Sequence, residues 1–167
     1  MKLSQLENNI KNKKSFLCLG LDSDIDKIPK HLLGNSDPVF EFNKILIDEL
    51  NQKIVAVKLN TAFYESRGAA GWTSMEKTIN YLNKFYPELF TIADAKRGDI
   101  GNTSKMYAKA FFENLNFDSI TLSPYMGMDT VSEFMDYEEK YPIILALTSN
   151  QGCLLYTSDA ADELLGV

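Results

Sequence analysis

Five short apolar runs, at 15–20, 54–59, 89–94, 119–123 and 141–148, alternate with stretches of helical periodicity, and this alternation constrains the fold more than any single residue does. Parallel strands need a crossover that returns the chain to the same end of the sheet. A helix supplies it, so the order predicts βαβ units and an α/β fold. The helical stretches carry boundary signals. Ser4 and Glu7 form a candidate capping box ahead of Leu6 and Ile10. Asp37 followed by Pro38 marks a helix start, after which Val39, Phe42, Leu46 and Leu50 share one face until about Asn51. An irregular stretch containing Arg67, Gly68 and Gly71 follows the second strand. Met75, Ile79, Leu82 and Tyr86 then recur at helical spacing until Pro87 ends the pattern. Two further helices are expected over 103–114 and 129–140.

Charge limits what such a fold can bind. A net charge of -6 argues against a broad grip on nucleic acid or on an anionic membrane surface, so an anionic ligand must meet a local cluster of cations. The 167 residues, 45% of them apolar, suit one globular domain. The opening residues, MKLSQLENNIKNKKS, contain no apolar signal core and no later run reaches membrane-spanning length, which predicts a cytoplasmic address. Cys18 and Cys153 have the spacing of neither a disulfide framework nor a metal cluster, and in that compartment they are expected to stay reduced. The single histidine, His31, lies between Pro29 and Gly34 and reads as a loop residue, which weakens Ser-His and multi-histidine zinc chemistry.

Polar and charged residues gather just after the strand ends: Asp22, Lys58 with Asn60, Asp94 with Lys96, Ser123, and Thr148 with Ser149. Doubly wound sheets and (β/α)8 barrels both place ligands there, and a site spread over several strands favours the barrel. Asp94, Lys96 and Asp99 are the strongest signal. Asp94 and Lys96 are two apart and point to the same side of an extended strand, while Gly98 lets the chain turn before Asp99. Carboxylates within a few ångströms would hold the lysine as an ammonium, making it an acid rather than a Schiff-base nucleophile. Read alone, KRGD is a solvated turn. Its place at the end of an apolar strand, where charges are rarely left unpaired, favours a site.

These residues resemble a known family. DAKRGDIGNT at 94–103 looks like the Asp-x-Lys-x-x-Asp-Ile-x-x-Thr signature of orotidine 5'-phosphate decarboxylases. Leu21-Asp22 resembles the family's ribose-binding aspartate, Val57-Lys58 its charged-network lysine, and Ser149 in LALTSNQG the serine that contacts the pyrimidine ring. Ala62-Phe63-Tyr64-Glu65 and SPYMG at 123–127 look like the longer bacterial branch. The resemblance implies a (β/α)8 barrel and removal of CO2 from orotidine 5'-phosphate to give uridine 5'-phosphate, with no metal and no organic cofactor. It implies Lys96, Asp94, Lys58 and Asp99 as catalytic residues, with Lys96 stabilising charge at C6 and delivering the proton, Asp94 facing the departing carboxylate and Lys58 orienting Asp94. It further implies a homodimer in which Asp99 reaches the neighbouring subunit's site, and Asp22 and Thr103 as ribose or cross-subunit contacts. Without it, Thr103 would read as a helix cap.

The resemblance covers residues 1–152, about the first five β/α units of a barrel that typically takes about 250 residues. The loops that hold the substrate phosphate in the family belong to the later units, so loss of turnover is expected with loss of that remote binding. Residues 153–167 match nothing expected after Gly152 and read as an atypical, foreign tail. Two alternatives stand beside the main reading: a magnesium-dependent sugar-phosphate decarboxylase of the same barrel family, and a fragment that is catalytically inactive.

Overall fold

In the computed structural model, which describes residues 1–150 together with Gly152 and Cys153, the apolar runs become the strands of one sheet. They are β1 (Leu17–Gly20), β2 (Ile54–Asn60), β3 (Phe90–Arg97), β4 (Ser119–Leu122) and β5 (Tyr141–Ile144). All neighbours are parallel, and their order in space is their order in the chain. That order separates the two folds left open by strand-helix alternation. A doubly wound sheet reverses its strand order to place helices on both faces. Successive right-handed crossovers in one direction put the helices on one face and curl the sheet toward a barrel.

Helix α1 (Leu3–Lys13) precedes β1, and α2 (Pro38–Leu50) leads into β2. A short α3 (Thr61–Glu65) and a long α4 (Gly68–Phe85) lead into β3. Next, α5 (Gly101–Ala108) widens into a π-helical stretch over Lys109–Asn114 before β4, and α6 (Met128–Met135) precedes β5. The start of α2 has a local cause: Pro38 opens the helix and the Asp37 side chain accepts the Phe40 amide at 3.1 Å. Alternate strand residues, Val57, Leu59, Ala93, Ala95, Ile120 and Leu122, join Val39, Ile47, Met75, Ile79, Phe111 and Phe134 in the buried core. Burying each large apolar side chain contributes roughly 1.5–3 kcal/mol. The intervening strand positions present Lys58, Asn60, Asp94, Lys96 and Thr121 on the other face.

Boundaries shift where the local pattern is weak. Helix α1 starts at Leu3, and its first turn is closed by Gln5, whose Oε1 accepts the Lys2 amide at 2.8 Å, rather than by Ser4 and Glu7. The stretch expected to be irregular is almost wholly helical. Asn60 caps α3 through the Ala62 amide at 3.3 Å, and α4 begins well before the periodic residues do. Strand β1 starts two residues later than expected, α6 stops at Met135 rather than near 140, and β5 stops at Ile144 rather than Thr148, whereas β3 runs on to Arg97. Among the described residues β1 and β5 are the sheet's edges, which leaves Phe16 84% and Leu147 69% exposed. Apart from Cys153, the tail expected to be atypical lies outside the described residues.

Candidate active site

The register of three parallel strands builds the site. Gly20 pairs with Lys58 and Asn60 with Asp94, so the residues after β1 and those at the ends of β2 and β3 come level. Lys58 Nζ donates to Asp22 Oδ1 and to Asp94 Oδ2, both at 3.3 Å. Lys96 Nζ donates to Asp94 Oδ1 at 2.6 Å. Asn60 Nδ2 donates to Asp22 Oδ2 at 3.3 Å. The result is a line of alternating charge, Asp22, Lys58, Asp94, Lys96, at the C-terminal ends of the strands. Asp94 is its most sheltered member, with 12% of the side chain exposed, while Lys96 at 50% faces the open mouth.

Electrostatics keep the inner members charged. Burial pushes the Asp94 carboxyl upward, but hydrogen bonds from Lys96 and Thr121 and the charges of Lys96 and Lys58 outweigh it, so its pKa lies below the ordinary carboxylate value. Burial pulls Lys58 down, yet Asp22 and Asp94 more than compensate and raise it. An ammonium at the mouth, held by a carboxylate that stays ionised, can stabilise negative charge developing nearby and can donate a proton. A cavity of about 450 Å³ lined in part by Gln5, Asn9, Asn83, Asp118 and Lys140 holds none of the expected site residues.

The remaining expected residues lie apart from this line. Asp99 is half-buried beyond β3. Its carboxylate accepts the Ile100 amide at 2.7 Å, and its carbonyl accepts from Ser104 and Thr130, so within the described residues of one chain it does not flank Lys96. Thr103 lies in the first turn of α5, whose N-cap is Ile100, so it is not the cap. Ser149 is exposed in the segment after β5. Gly98 is needed for a different reason from the one expected. A Cβ there would lie 2.5 Å from the Ser123 carbonyl oxygen, and the residue that turns the chain with a left-handed φ of 49° is Lys96.

The sequence model of the orotidine 5'-phosphate decarboxylase / HUMPS family matches residues 15–162. The chain belongs to that family. Similar members are the orotidine 5'-phosphate decarboxylases of Flavobacterium johnsoniae, 62% identical over 91% of this chain and 56% of that protein, and of Bacteroides fragilis strain YCH46, 57% identical over 99% and 61%. Among solved structures, Leishmania donovani OMP decarboxylase is 36% identical with a TM-score of 0.77, covering 91% of this chain and 56% of that one. Leishmania donovani UMP synthase is 35% identical with a TM-score of 0.78, covering 92% and 32%. The chain thus spans little more than half the length of the curated decarboxylases it matches.

Two sets of contacts around the family signature, one made by Thr121 and one by a second group, were not expected from the sequence. Thr121 contacts both Asp94 and the Lys96 backbone. Its signal was the run of polar residues at alternate positions, Ser119, Thr121 and Ser123, in an otherwise apolar strand. The second group lies behind Asp22. Buried Asn43 accepts from Ser23 Oγ at 2.5 Å and donates to Tyr64 Oη and Thr78 Oγ1 at 3.0 Å each, and Tyr64 Oη donates to the Leu21 carbonyl at 2.9 Å. Both flanks of Asp22 are thereby tied to α2, α3 and α4. Leu21 and Tyr64 lie in stretches that carried the resemblance, but nothing local links them to Ser23, Asn43 and Thr78, because the members are far apart in the chain.

Proposed function

We propose that the chain carries the charged half of an orotidine 5'-phosphate decarboxylase site, which acts in pyrimidine biosynthesis and forms uridine 5'-phosphate without a metal or organic cofactor. The observation that carries this reading is the alternating line Asp22, Lys58, Asp94, Lys96 at the strand ends of a member of this family. In the reaction the bond between C6 and the carboxylate breaks, its electron pair stays on C6, and CO2 leaves. Lys96 Nζ stabilises that pair and passes a proton to C6, and the lysine is reprotonated from solvent. The substrate carboxylate meets Asp94. Two like charges about 4 Å apart repel by about 4 kcal/mol at an effective dielectric of 20, and departure of CO2 relieves this. Lys58 keeps Asp94 ionised and aimed, and Asp22 takes the ribose.

Asp99, Thr103 and Ser149 belong to the same reading through other contacts. Asp99, which precedes the exposed Ile100 in the chain, serves the neighbouring subunit of a homodimer. Thr103 makes ribose or cross-subunit contacts, and Ser149 meets the pyrimidine ring. The cytoplasm is the proposed compartment, with neither nucleic acid nor membrane as a partner. The test follows the ultraviolet loss of orotidine 5'-phosphate with this chain, with a version extended to the length of its relatives, and with Lys96→Ala in each, with and without EDTA. Turnover that needs Lys96 and ignores EDTA is expected from the extended version. Loss with EDTA would point to the magnesium-dependent chemistry instead, and no turnover by either folded protein would end the proposal.

A further inference from the structure

Between Ala93 and Arg97 the ladder joining β3 to β4 slips. Ala93 pairs with Ile120 and Arg97 with Leu122, so Asp94, Ala95 and Lys96 face Thr121 alone. Extra residues in one strand form a bulge, which re-aims side chains and recurs beside active sites. Here the turn falls on Lys96, whose φ of 49° is a conformation that a residue other than glycine keeps only when its surroundings enforce it. The Lys96 amide donates to Thr121 Oγ1 at 3.0 Å, and the same oxygen lies 3.0 Å from Asp94 Oδ1. The directions are forced. An amide can only donate and a carboxylate can only accept, so the hydroxyl accepts from Lys96 and donates to Asp94. Thr121 is 8% exposed, so the bridge is sheltered.

We infer that Thr121 is a positioning residue whose hydroxyl locks the β3 bulge, joining the Lys96 backbone to the Asp94 carboxylate so that ammonium and carboxylate meet at the mouth. The inference rests on reading those two residues as the reacting pair. The charged groups around Asp94 are Lys96 Nζ from its own strand and Lys58 Nζ from β2, with Asp22 beyond Lys58. These act on its side chain; Thr121 bonds both the Asp94 carboxylate and the Lys96 amide, while the other side-chain contact inside the bulge, Arg97 Nη1 to the Ala95 carbonyl at 3.0 Å, touches neither. Valine would fill the same space but leave the Lys96 amide without its Thr121 acceptor and remove one of the three donors to Asp94, the other two being the Lys96 and Lys58 ammonium groups.

The test is an NMR titration of the Asp94 carboxyl carbon in the chain and in Thr121→Val, Thr121→Ala and Thr121→Ser, with Asp94→Asn used to assign the resonance. Losing the hydroxyl should raise the midpoint by about half a unit or more, a threefold change in acidity, and serine should restore it to within about 0.2. A midpoint unmoved in either folded hydroxyl-free variant overturns the inference. If neither folds, amide exchange of Lys96 in the parent chain decides: slowing by about tenfold or more over an open loop supports the bridge, and exchange at the open rate overturns it. Turnover is scored separately. An extended protein that never decarboxylates while its Asp94 titration follows Thr121 would sink the proposed function and leave the bridge standing.

Discussion

Lys58 is the residue on which the charged line turns, since it touches both carboxylates, at 3.3 Å each. Its removal should therefore be felt at Asp94. Asp94 titrates below its ordinary value in the folded chain, so the stability it contributes is present above its unfolded value of about 3.9 and is lost as pH falls through the lower folded value. Lys58 titrates above its ordinary value, so its contribution is complete below about 10.4 and is lost only as pH rises through the folded value. Between these limits the line is intact. Lys58→Met should move the Asp94 midpoint up, by less than loss of the Thr121 hydroxyl does, and make acid unfolding begin at a correspondingly higher pH, read by carboxyl NMR and by circular dichroism against pH. An unmoved midpoint would mean that Lys96 and Thr121 hold the carboxylate unaided. The Asp-x-Lys pair was legible because two residues on one strand share a face. The partner that completes it, Thr121, was not, because it stands on another strand.

At the level of elements, the hidden support for the site is the contact between α3 and α4. Gly71 sits so close to the end of α3 that a Cβ there would lie 1.7 Å from the Tyr64 carbonyl oxygen. Tyr64 is fully buried and anchors the Leu21 carbonyl, one residue before Asp22. Gly71→Ala should push α4 off α3, destabilising the chain by about 2–4 kcal/mol in urea unfolding and loosening the Asp22 loop. A loss below about 0.5 kcal/mol would show that the two helices can part without strain. Helix α2 makes the complementary case. Its cap was read directly from Asp37-Pro38, yet the same carboxylate also accepts from Ser74 Oγ at 2.7 Å and pairs with Lys77 at 3.1 Å, tying α2 to α4. The cap is a contact within four residues, whereas the tie to α4 depends on how the two helices pack.

For the molecule as a whole, the five-stranded sheet ends in two edges among the described residues, and apolar side chains lie on them: Phe16 and Leu17 at β1, Ile143, Ile144 and Leu147 at and beyond β5. Unpaired strand edges with apolar side chains favour pairing between chains. The isolated chain should therefore associate beyond the proposed dimer as its concentration rises, and Phe16→Lys should shift sedimentation toward the smaller species; a size that does not change with concentration would show that the edges are protected. By itself the sequence determined the alternation of strands and helices, the cap of α2, and the gathering of Asp22, Lys58, Asp94 and Lys96 at strand ends. Each of these rests on periodicity or on hydrogen bonds spanning a few residues. The resemblance implied Lys58 beside Asp94; only the tertiary structure decided that Lys58 also bridges to Asp22, each carboxylate 36 residues away along the chain, and that Thr121 spans the bulge to Asp94 from 27 residues away. Such contacts follow strand register and helix packing, and a one-residue change in register would turn the same side chains to the opposite face.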